Sequence, residues 1–169
     1  IKKLDSGSYL LWDGNSISIQ KYWDNSLSTT PVNSEKEIMN KLDELLNSSI
    51  EMELMSDVPI GSFLSGGIDS SVVTTLASEI CNEEFSVFHI RWDEIPGKLD
   101  ESMFAEKVIE NKNVTKYFRD VKNIDVVNLL PKLIYHLDEP FADAAFLPTY
   151  YLANIASEKV KVILSGAGS

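Results

Sequence analysis

The feature that most constrains the fold is an alternation of short apolar runs with helical periodicity, which begins after Ser34. Strand-like runs lie at residues 60–64, 85–90, 115–121 and 160–164. Apolar residues at helical spacing follow the first three runs, and the last such segment starts at Pro148, a favoured first-turn position. Strands that alternate with helices predict a parallel sheet covered on both faces. We therefore predict a doubly wound α/β fold with strand order 3-2-1-4.

Residues 1–33 follow a different pattern. Two alternating stretches, "SYLLW" and "SISIQKYW", are joined by Asp13, Gly14 and Asn15, which predicts a β-hairpin. The polar segment at residues 27–33 contains a proline and is interpreted as a linker. Ser34 and Glu37 then form a capping-box pair, and a helix is predicted to continue to about residue 55. The hypothesis is a hairpin attached to a body that starts at residue 34.

Composition narrows the classes of partner. Fifteen basic and 26 acidic residues among 169 give a net charge of −11, spread along the chain, which disfavours a nucleic-acid or anionic-membrane surface. Cys81 is the single cysteine, so an internal disulfide is excluded and a reducing, cytoplasmic setting fits. No apolar run approaches the roughly 20 residues that span a bilayer. We expect a cytoplasmic protein with neither a nucleic-acid nor a membrane partner.

A glycine-serine turn, "FLSGGIDSSVV" at residues 63–73, stands between the first strand and its helix. We call residues 65–71 the signature loop. Its two glycines allow several backbone N–H groups to point at one oxyanion, and a helix that starts near Ser70 would add its free amides. Hydroxyl donors are available from three serines: Ser65, Ser70 and Ser71. The loop therefore has the donors of a phosphate site.

Asp69 is the odd member of the loop, since a carboxylate repels phosphate unless a cation lies between them. Mg²⁺ bound by oxygen ligands supplies such a cation, so the loop predicts a magnesium-pyrophosphate cradle. The competing interpretation is a common strand-to-helix turn in which Asp or Ser only caps the helix. The absence of Gly-Lys-Ser/Thr excludes a Walker A loop.

A second serine-glycine loop favours the phosphate interpretation. The fourth strand ends in "SGAGS" at residues 165–169. In the order 3-2-1-4 the first and fourth strands are neighbours, and ligands bind beyond the carboxyl ends of strands at such a switch point. We call this second segment the facing loop and expect both loops to border one crevice.

Several motifs carry a resemblance to a known family. "SGGIDSS" is similar to the signature of the N-type ATP pyrophosphatases, the PP-loop enzymes. Within that superfamily, "DVPIGSFLSGGIDSSVV", "FSVFHI", "LDESMFAEKV", "HLDEPFADAAFLPTYYLANIAS" and "VKVILSGAGS" resemble glutamine-dependent asparagine synthetases in order and spacing. The resemblance implies an adenine nucleotide alpha hydrolase-like fold and covers essentially the whole chain.

The resemblance implies a role for each matching residue. Pyrophosphate and its magnesium would be held by Ser65, Gly66, Gly67, Asp69, Ser70 and Ser71, with Asp69 as both metal ligand and candidate catalytic residue. Adenosine would be bordered by Phe63, Leu64 and Val87, and the AMP portion would be approached by Ser165 and Gly166. The implied ligands are ATP and Mg²⁺.

The implied reaction is adenylation of the aspartate β-carboxylate by ATP, followed by amidation with ammonia. Ammonia would come from a glutaminase domain in the parent chain, to which residues 1–33 would connect. Residues 34–169 would be the N-terminal part of the ATP-pyrophosphatase domain, truncated at its C-terminal end, and this fragment alone would be inactive. A homodimer is one assembly that the resemblance allows.

Two features leave alternatives open. Ala167 stands where well-studied asparagine synthetases have an acidic residue, so another amidotransferase or amide ligase acting on a different acid competes with the asparagine assignment. A nucleotide-binding module without chemistry is the alternative from another class. In "DEPFAD", Asp138, Glu139 and Asp143 fit a substrate or metal contact and a capped loop about equally well.

Overall fold

The computed structural model describes residues 2–26, 34–81, 84–92, 101–121, 126–137, 142–143 and 145–167. The chain divides into two compact units, Ile1–Asn40 and Lys41–Ser169. The predicted linker at residues 27–33 lies outside the described residues.

The first unit contains the predicted hairpin. Strands β1 (Ser8–Trp12) and β2 (Ile17–Lys21) pair antiparallel, with Trp12 opposite Ile17. The carboxylate of Asp13 closes the turn between them, since Oδ1 accepts hydrogen bonds from the amides of Asn15 and Ser16 at 2.8 Å each. The prediction of a hairpin at this position is confirmed.

Helix α1 spans Glu35–Glu53. Ser34 Oγ accepts a hydrogen bond from the Glu37 amide at 3.2 Å, so the predicted cap is present. The apolar side chains that predicted the helix, among them Ile38 and Leu42, are nevertheless exposed, whereas Ile50 is buried. Periodicity thus predicted the helix correctly, but not which of its residues enter the core.

The second unit is built on a parallel four-stranded sheet. Its strands are β3 (Ile60–Phe63), β4 (Phe85–Trp92), β5 (Val114–Val121) and β6 (Val162–Leu164). Their spatial order is β5-β4-β3-β6, and all three pairings are parallel. Counted along the sheet strands alone, this is the predicted order 3-2-1-4. The α/β class and the switch point between β3 and β6 are confirmed.

The helices of this unit after α1 are α2 (Ile68–Ile80), α3 (Ser102–Val108), α4 (Val126–Leu137) and α5 (Phe146–Ser157), and α2, α3 and α5 cover the two faces of the sheet. Helices α2 and α3 supply Ala77 and Ala105 to one core cluster, which contains Val87 of β4. Helix α5 supplies Ala156 to the other cluster, which contains the next strand residue, Phe88. Because neighbouring residues of a strand point to opposite faces, the two clusters lie on opposite sides of the sheet.

Helix α3 buries only part of its apolar pattern. The apolar residues that mark this helix in the sequence are Met103, Phe104, Val108 and Ile109. Met103 and Phe104 are exposed, whereas Ile109, directly after the helix, is buried and Val108 packs against the same core. Ser102 and Ala105 are buried as well. Among the described residues, no helix combines the length and apolar character that a bilayer crossing requires.

Candidate functional site

A cavity of about 480 Å³ opens at the carboxyl edge of the parallel sheet, in the size range of small-molecule sites. Both serine-glycine loops contribute to its wall, as the switch-point argument predicted. Its lining comprises Phe63, Leu64, Ser65, Gly67, Asp69, Ser70, His89, Ile90, Glu101, Ser102, Ala145, Pro148, Thr149, Leu152, Ser165, Gly166 and Ala167.

Ser70 organises the signature loop from within. Its Oγ donates a hydrogen bond to the carbonyl of Gly67 at 3.2 Å and accepts one from the amide of Ser65 at 3.1 Å. Since the Ser70 proton is committed to Gly67, the Ser65 hydroxyl donates to Ser70 Oγ across 2.9 Å. Ser71 Oγ also donates to the Gly67 carbonyl, at 2.7 Å. All three serines predicted to donate to phosphate therefore make hydrogen bonds within the loop in this structure.

The loop leads into α2 earlier than the sequence suggested. Gly67, with extended backbone, precedes the helix, which begins at Ile68 rather than near Ser70. The Ser71 amide closes the first turn by donating to the Gly67 carbonyl at 3.0 Å. Asp69 therefore lies inside the first turn, where helix amides have no partner within the helix and favour negative charge.

Gly66 is required by its surroundings as well as by its backbone. Its φ is +96°, a conformation that other residues rarely adopt. A Cβ at this position would lie 2.6 Å from the carbonyl oxygen of Glu101 and 3.2 Å from the amide nitrogen of Ala105. The signature loop thus packs directly against the backbone at the start of α3.

Gly166 brings the two loops together. A Cβ on this residue would lie 2.5 Å from the amide nitrogen of Ser70 and 2.7 Å from the carbonyl carbon of Asp69. The facing loop therefore lies directly on the first turn of α2, at a distance that only glycine permits. The hydroxyl of Ser165 accepts the Ala167 amide at 3.2 Å and fixes the bend of this loop.

The charges of the cavity explain what kind of anion site it can be. Its described lining includes the carboxylates Asp69 and Glu101 but no lysine or arginine. No described residue donates a hydrogen bond to the Asp69 carboxylate. An anion bound here would depend on backbone amides, hydroxyls and a cation, because no basic side chain of the lining offsets the two carboxylates.

The donor set fits magnesium bound together with phosphate. The described residues contain no group of three metal-ligating side chains. Mg²⁺ sites of this type use one or two protein carboxylates, with substrate phosphates and water as the other ligands, so a single open carboxylate beside first-turn amides is sufficient. Asp69 is the residue that offers such a carboxylate.

The structure places most of the predicted site residues together. Phe63, Leu64, Ser165 and Gly166 line the cavity together with the signature loop. Gly66 and Ser71 support the loop from outside the lining. Val87 is not part of the lining, and its side chain is fully buried in the core beneath α2 and α3, so its place beside adenosine stays a prediction.

Sequence reasoning missed four residues of one cavity wall: His89, Ile90, Glu101 and Ser102. The sheet register pairs Phe63 with Phe88, so His89 and Ile90 extend past the end of β3 at the carboxyl edge. The greater length of the second strand was a signal that could have located them. Helix α5 supplies the opposite wall through Pro148, Thr149 and Leu152, for which the sequence offered no comparable signal.

The acidic segment before α5 is described only in part. Asp138 and Glu139 lie outside the described residues. The carboxylate of Asp143 accepts a hydrogen bond from the Ala145 amide at 2.9 Å, just before α5 begins. For Asp143, this contact closes a turn within the loop and fits the interpretation of a structural loop before α5.

Comparisons with known proteins agree with these features. The family model described as asparagine synthase matches residues 41–169. The glutamine-hydrolyzing asparagine synthetase 1 of Bacillus subtilis is 30% identical over 172 aligned residues, which cover 100% of this chain and 26% of that protein. A putative glutamine-hydrolyzing asparagine synthetase 2 of Methanocaldococcus jannaschii is 32% identical, with 98% of this chain and 32% of that protein covered.

A third relative carries a different name. Amidase chyE of Penicillium rubens is 29% identical, with 96% of this chain and 27% of that protein covered. The chain spans about a quarter to a third of the length of these relatives. Because the family model matches well over half of its residues, the chain belongs to the asparagine synthase family.

Proposed function

We propose that this chain supplies the ATP site of an enzyme that adenylates the aspartate β-carboxylate and then amidates it. The observation that carries the proposal is the contact between the two loops: Gly166 lies on the first turn of α2, next to the open carboxylate of Asp69, at the switch point of a parallel sheet. The named asparagine synthetases among the relatives support the choice of reaction.

In the proposed reaction, a carboxylate oxygen of aspartate attacks the α-phosphorus of ATP, and the bond from that phosphorus to the bridging oxygen breaks. Pyrophosphate leaves, and ammonia then opens the mixed anhydride to give asparagine and AMP. The chain's own task is orientation and stabilisation of charge on the leaving group. The first-turn amides of α2 and the Ser65 region would hold pyrophosphate, while Phe63 and Leu64 would border the nucleoside.

Asp69 would hold magnesium against the phosphate oxygens. A bound magnesium ion supplies neutralisation of the charge that develops on pyrophosphate. The Ser70 hydrogen bonds keep the loop amides in place before the substrate arrives, which removes an ordering cost from the reaction. No covalent nucleophile is needed for this chemistry.

The test is aspartate-dependent exchange of labelled pyrophosphate into ATP by the protein that carries this chain, together with titration calorimetry of magnesium pyrophosphate. The Asp69→Asn substitution removes the metal-binding charge without changing the side-chain shape. We expect exchange to be lost and affinity to fall at least about tenfold, equivalent to ~1.4 kcal/mol. The thermal midpoint should stay near that of the wild type.

Asp57→Asn is the matched control, since Asp57 is exposed and precedes the amino end of β3, at the edge opposite the cavity. It removes the same charge and should leave exchange and affinity unchanged. Exchange by Asp69→Asn at the wild-type rate would refute the magnesium role. Nucleotide binding without exchange for any acid would instead favour a non-catalytic nucleotide-binding module.

A second candidate is amidation of an acid other than aspartate. It is favoured by Ala167, which lines the cavity and offers no charge to an acceptor. The presence of a relative named as an amidase adds support. Exchange that requires a different carboxylic acid, with aspartate inert, would select this candidate.

A further inference from the structure

His89 is a buried polar residue that the proposed reaction does not use. The residue is 5% exposed and belongs to the cavity wall that β4 and the start of α3 form. Nδ1 is 2.6 Å from the carbonyl oxygen of Leu64, and Nε2 is 2.9 Å from Ser102 Oγ. One imidazole ring therefore connects the residue that follows β3 with the first residue of α3.

The partners of the ring determine where its proton lies. A carbonyl oxygen can only accept, so Nδ1 carries the proton and donates to Leu64. In the neutral ring, Nε2 then accepts the hydrogen bond that Ser102 Oγ donates. The ring is held in this orientation by Phe118, whose centroid lies 4.9 Å away.

The two partners of His89 lie at the places where the signature loop and α3 begin. Leu64 immediately precedes the signature loop, and Ser102 is the first residue of α3. The residue before Ser102, Glu101, presents the carbonyl against which Gly66 packs. The imidazole therefore joins the signature loop to the start of α3, where Gly66 also packs against Glu101. It does so by one hydrogen bond from each of its two nitrogens.

We propose that His89 is a positioning residue, which fixes the signature loop relative to the start of α3. Without it, the Leu64 carbonyl and the Ser102 hydroxyl would each lose a partner in a buried setting, and the junction would open. The consequence for ligand affinity rests on the proposed function, since the positioned loop is the proposed pyrophosphate cradle. The hydrogen-bonded bridge itself does not depend on the ligand.

The first test is nitrogen NMR of the intact chain labelled in histidine. The bridge requires a proton on Nδ1 of His89, so its Nδ1 signal should be of the protonated type. An unprotonated Nδ1 would overturn the proposal. A residue that only fills space would have no requirement for this tautomer.

The second test compares amide hydrogen exchange in His89→Phe and His89→Asn. Phe keeps the ring volume but neither hydrogen bond, so exchange should accelerate about tenfold or more at residues 64–67 and at the amides of Phe104 and Ala105, which donate to Glu101. Asn places an amide nitrogen at the Nδ1 position and cannot reach Ser102. It should restore protection at residues 64–67 only.

The β4–β5 ladder serves as the internal control for folding, because its amides should be unchanged in both variants. Equal protection of residues 64–67 in all three proteins would overturn the proposal. Calorimetry with magnesium pyrophosphate separates the two proposals. If the wild type does not bind this ligand, the proposed function is rejected, and amide hydrogen exchange still tests whether His89 holds the loop against α3. Binding by the wild type that both variants match would reject the positioning role.

Discussion

Two turns of this chain combine an aspartate, a glycine with φ of +96° and neighbouring serines, yet the aspartates are used differently. In the hairpin, the Asp13 carboxylate accepts two backbone amides and the hydroxyl of Ser16, so its acceptor capacity is directed into its own turn. In the signature loop, a serine takes that organising role. Ser70 holds the loop, and no described residue donates to the Asp69 carboxylate.

The difference shows how a structural turn can be distinguished from a candidate site of similar composition. A carboxylate that satisfies its own turn has little capacity left for a ligand. A carboxylate in the first turn of a helix, with the turn held by other groups, keeps its oxygens available while the helix favours its charge. Side-chain hydrogen bonds, more than residue types, separate the two cases.

The largest expected difference between the turns comes from their glycines. Gly66 and Gly14 share the same φ, but a Cβ on Gly14 would have no atom within 4 Å, whereas one on Gly66 would strike the Glu101 carbonyl. We expect Gly66→Ala to lower the free energy of unfolding by about 3 kcal/mol or more, because strain and a backbone clash add together. Gly14→Ala should cost about 1 kcal/mol, from strain alone.

Urea unfolding followed by circular dichroism measures the cost of Gly66→Ala, and amide exchange in β1 and β2 measures that of Gly14→Ala. Similar losses for the two variants would contradict the conclusion that crowding at Glu101 sets the loop geometry. If the Gly66→Ala protein kept the stability of the wild type, α3 would have to be able to move away from the loop.

A smaller difference is expected for the serines that organise each turn. Ser70→Ala removes the acceptor of the Ser65 amide and one donor to the Gly67 carbonyl, so a loss of about 1–2 kcal/mol is expected. Ser16→Ala removes one exposed hydrogen bond to Asp13 while the Ser16 amide still donates, and the cost should be about 0.5 kcal/mol or less. Thermal and urea unfolding of the matched pair gives both values, and a larger cost for Ser16→Ala would reverse the assignment of organising roles.

Most of the fold was predictable because it depends on local periodicity and on chirality. The apolar runs at β3, β4, β5 and β6 predicted the strands, and right-handed crossover restricted the sheet to a few orders, of which the usual one is present in the structure. Burial was less predictable. Part of the apolar pattern that predicted α3 is exposed, namely Met103 and Phe104, whereas Ile109 is buried. Tertiary packing also buried Ser102 and Ala105, and no local rule states which face of a short helix meets a sheet.

The candidate site was predictable only where it is continuous in sequence. The signature loop and the facing loop could be identified in the sequence by their glycine and serine residues, and the predicted strand order placed the two loops together. His89 was not predicted as a site residue, since its role depends on two partners 25 and 13 residues away. The sequence could not show which side of β4 the Val87 side chain takes, because the register of the sheet was needed to see that it enters the core.

The smallest expected effect concerns acid. Hydrogen bonds from the amides of Ser16 and Asn15, and from the Ser16 hydroxyl, hold the pKa of Asp13 below its usual range. Because the folded pKa is lower than the unfolded one, the turn is stabilised fully above the unfolded pKa, and this contribution is lost as pH falls through the folded pKa. The Asp13 carboxyl carbon, followed by NMR, should therefore titrate at lower pH in the folded protein than in urea. Asp13→Asn should make the hairpin amides insensitive to the same acid range. A folded midpoint at or above the unfolded one would mean that the Asp13 contacts do not hold this turn, and the contrast with Asp69 would then lose its basis.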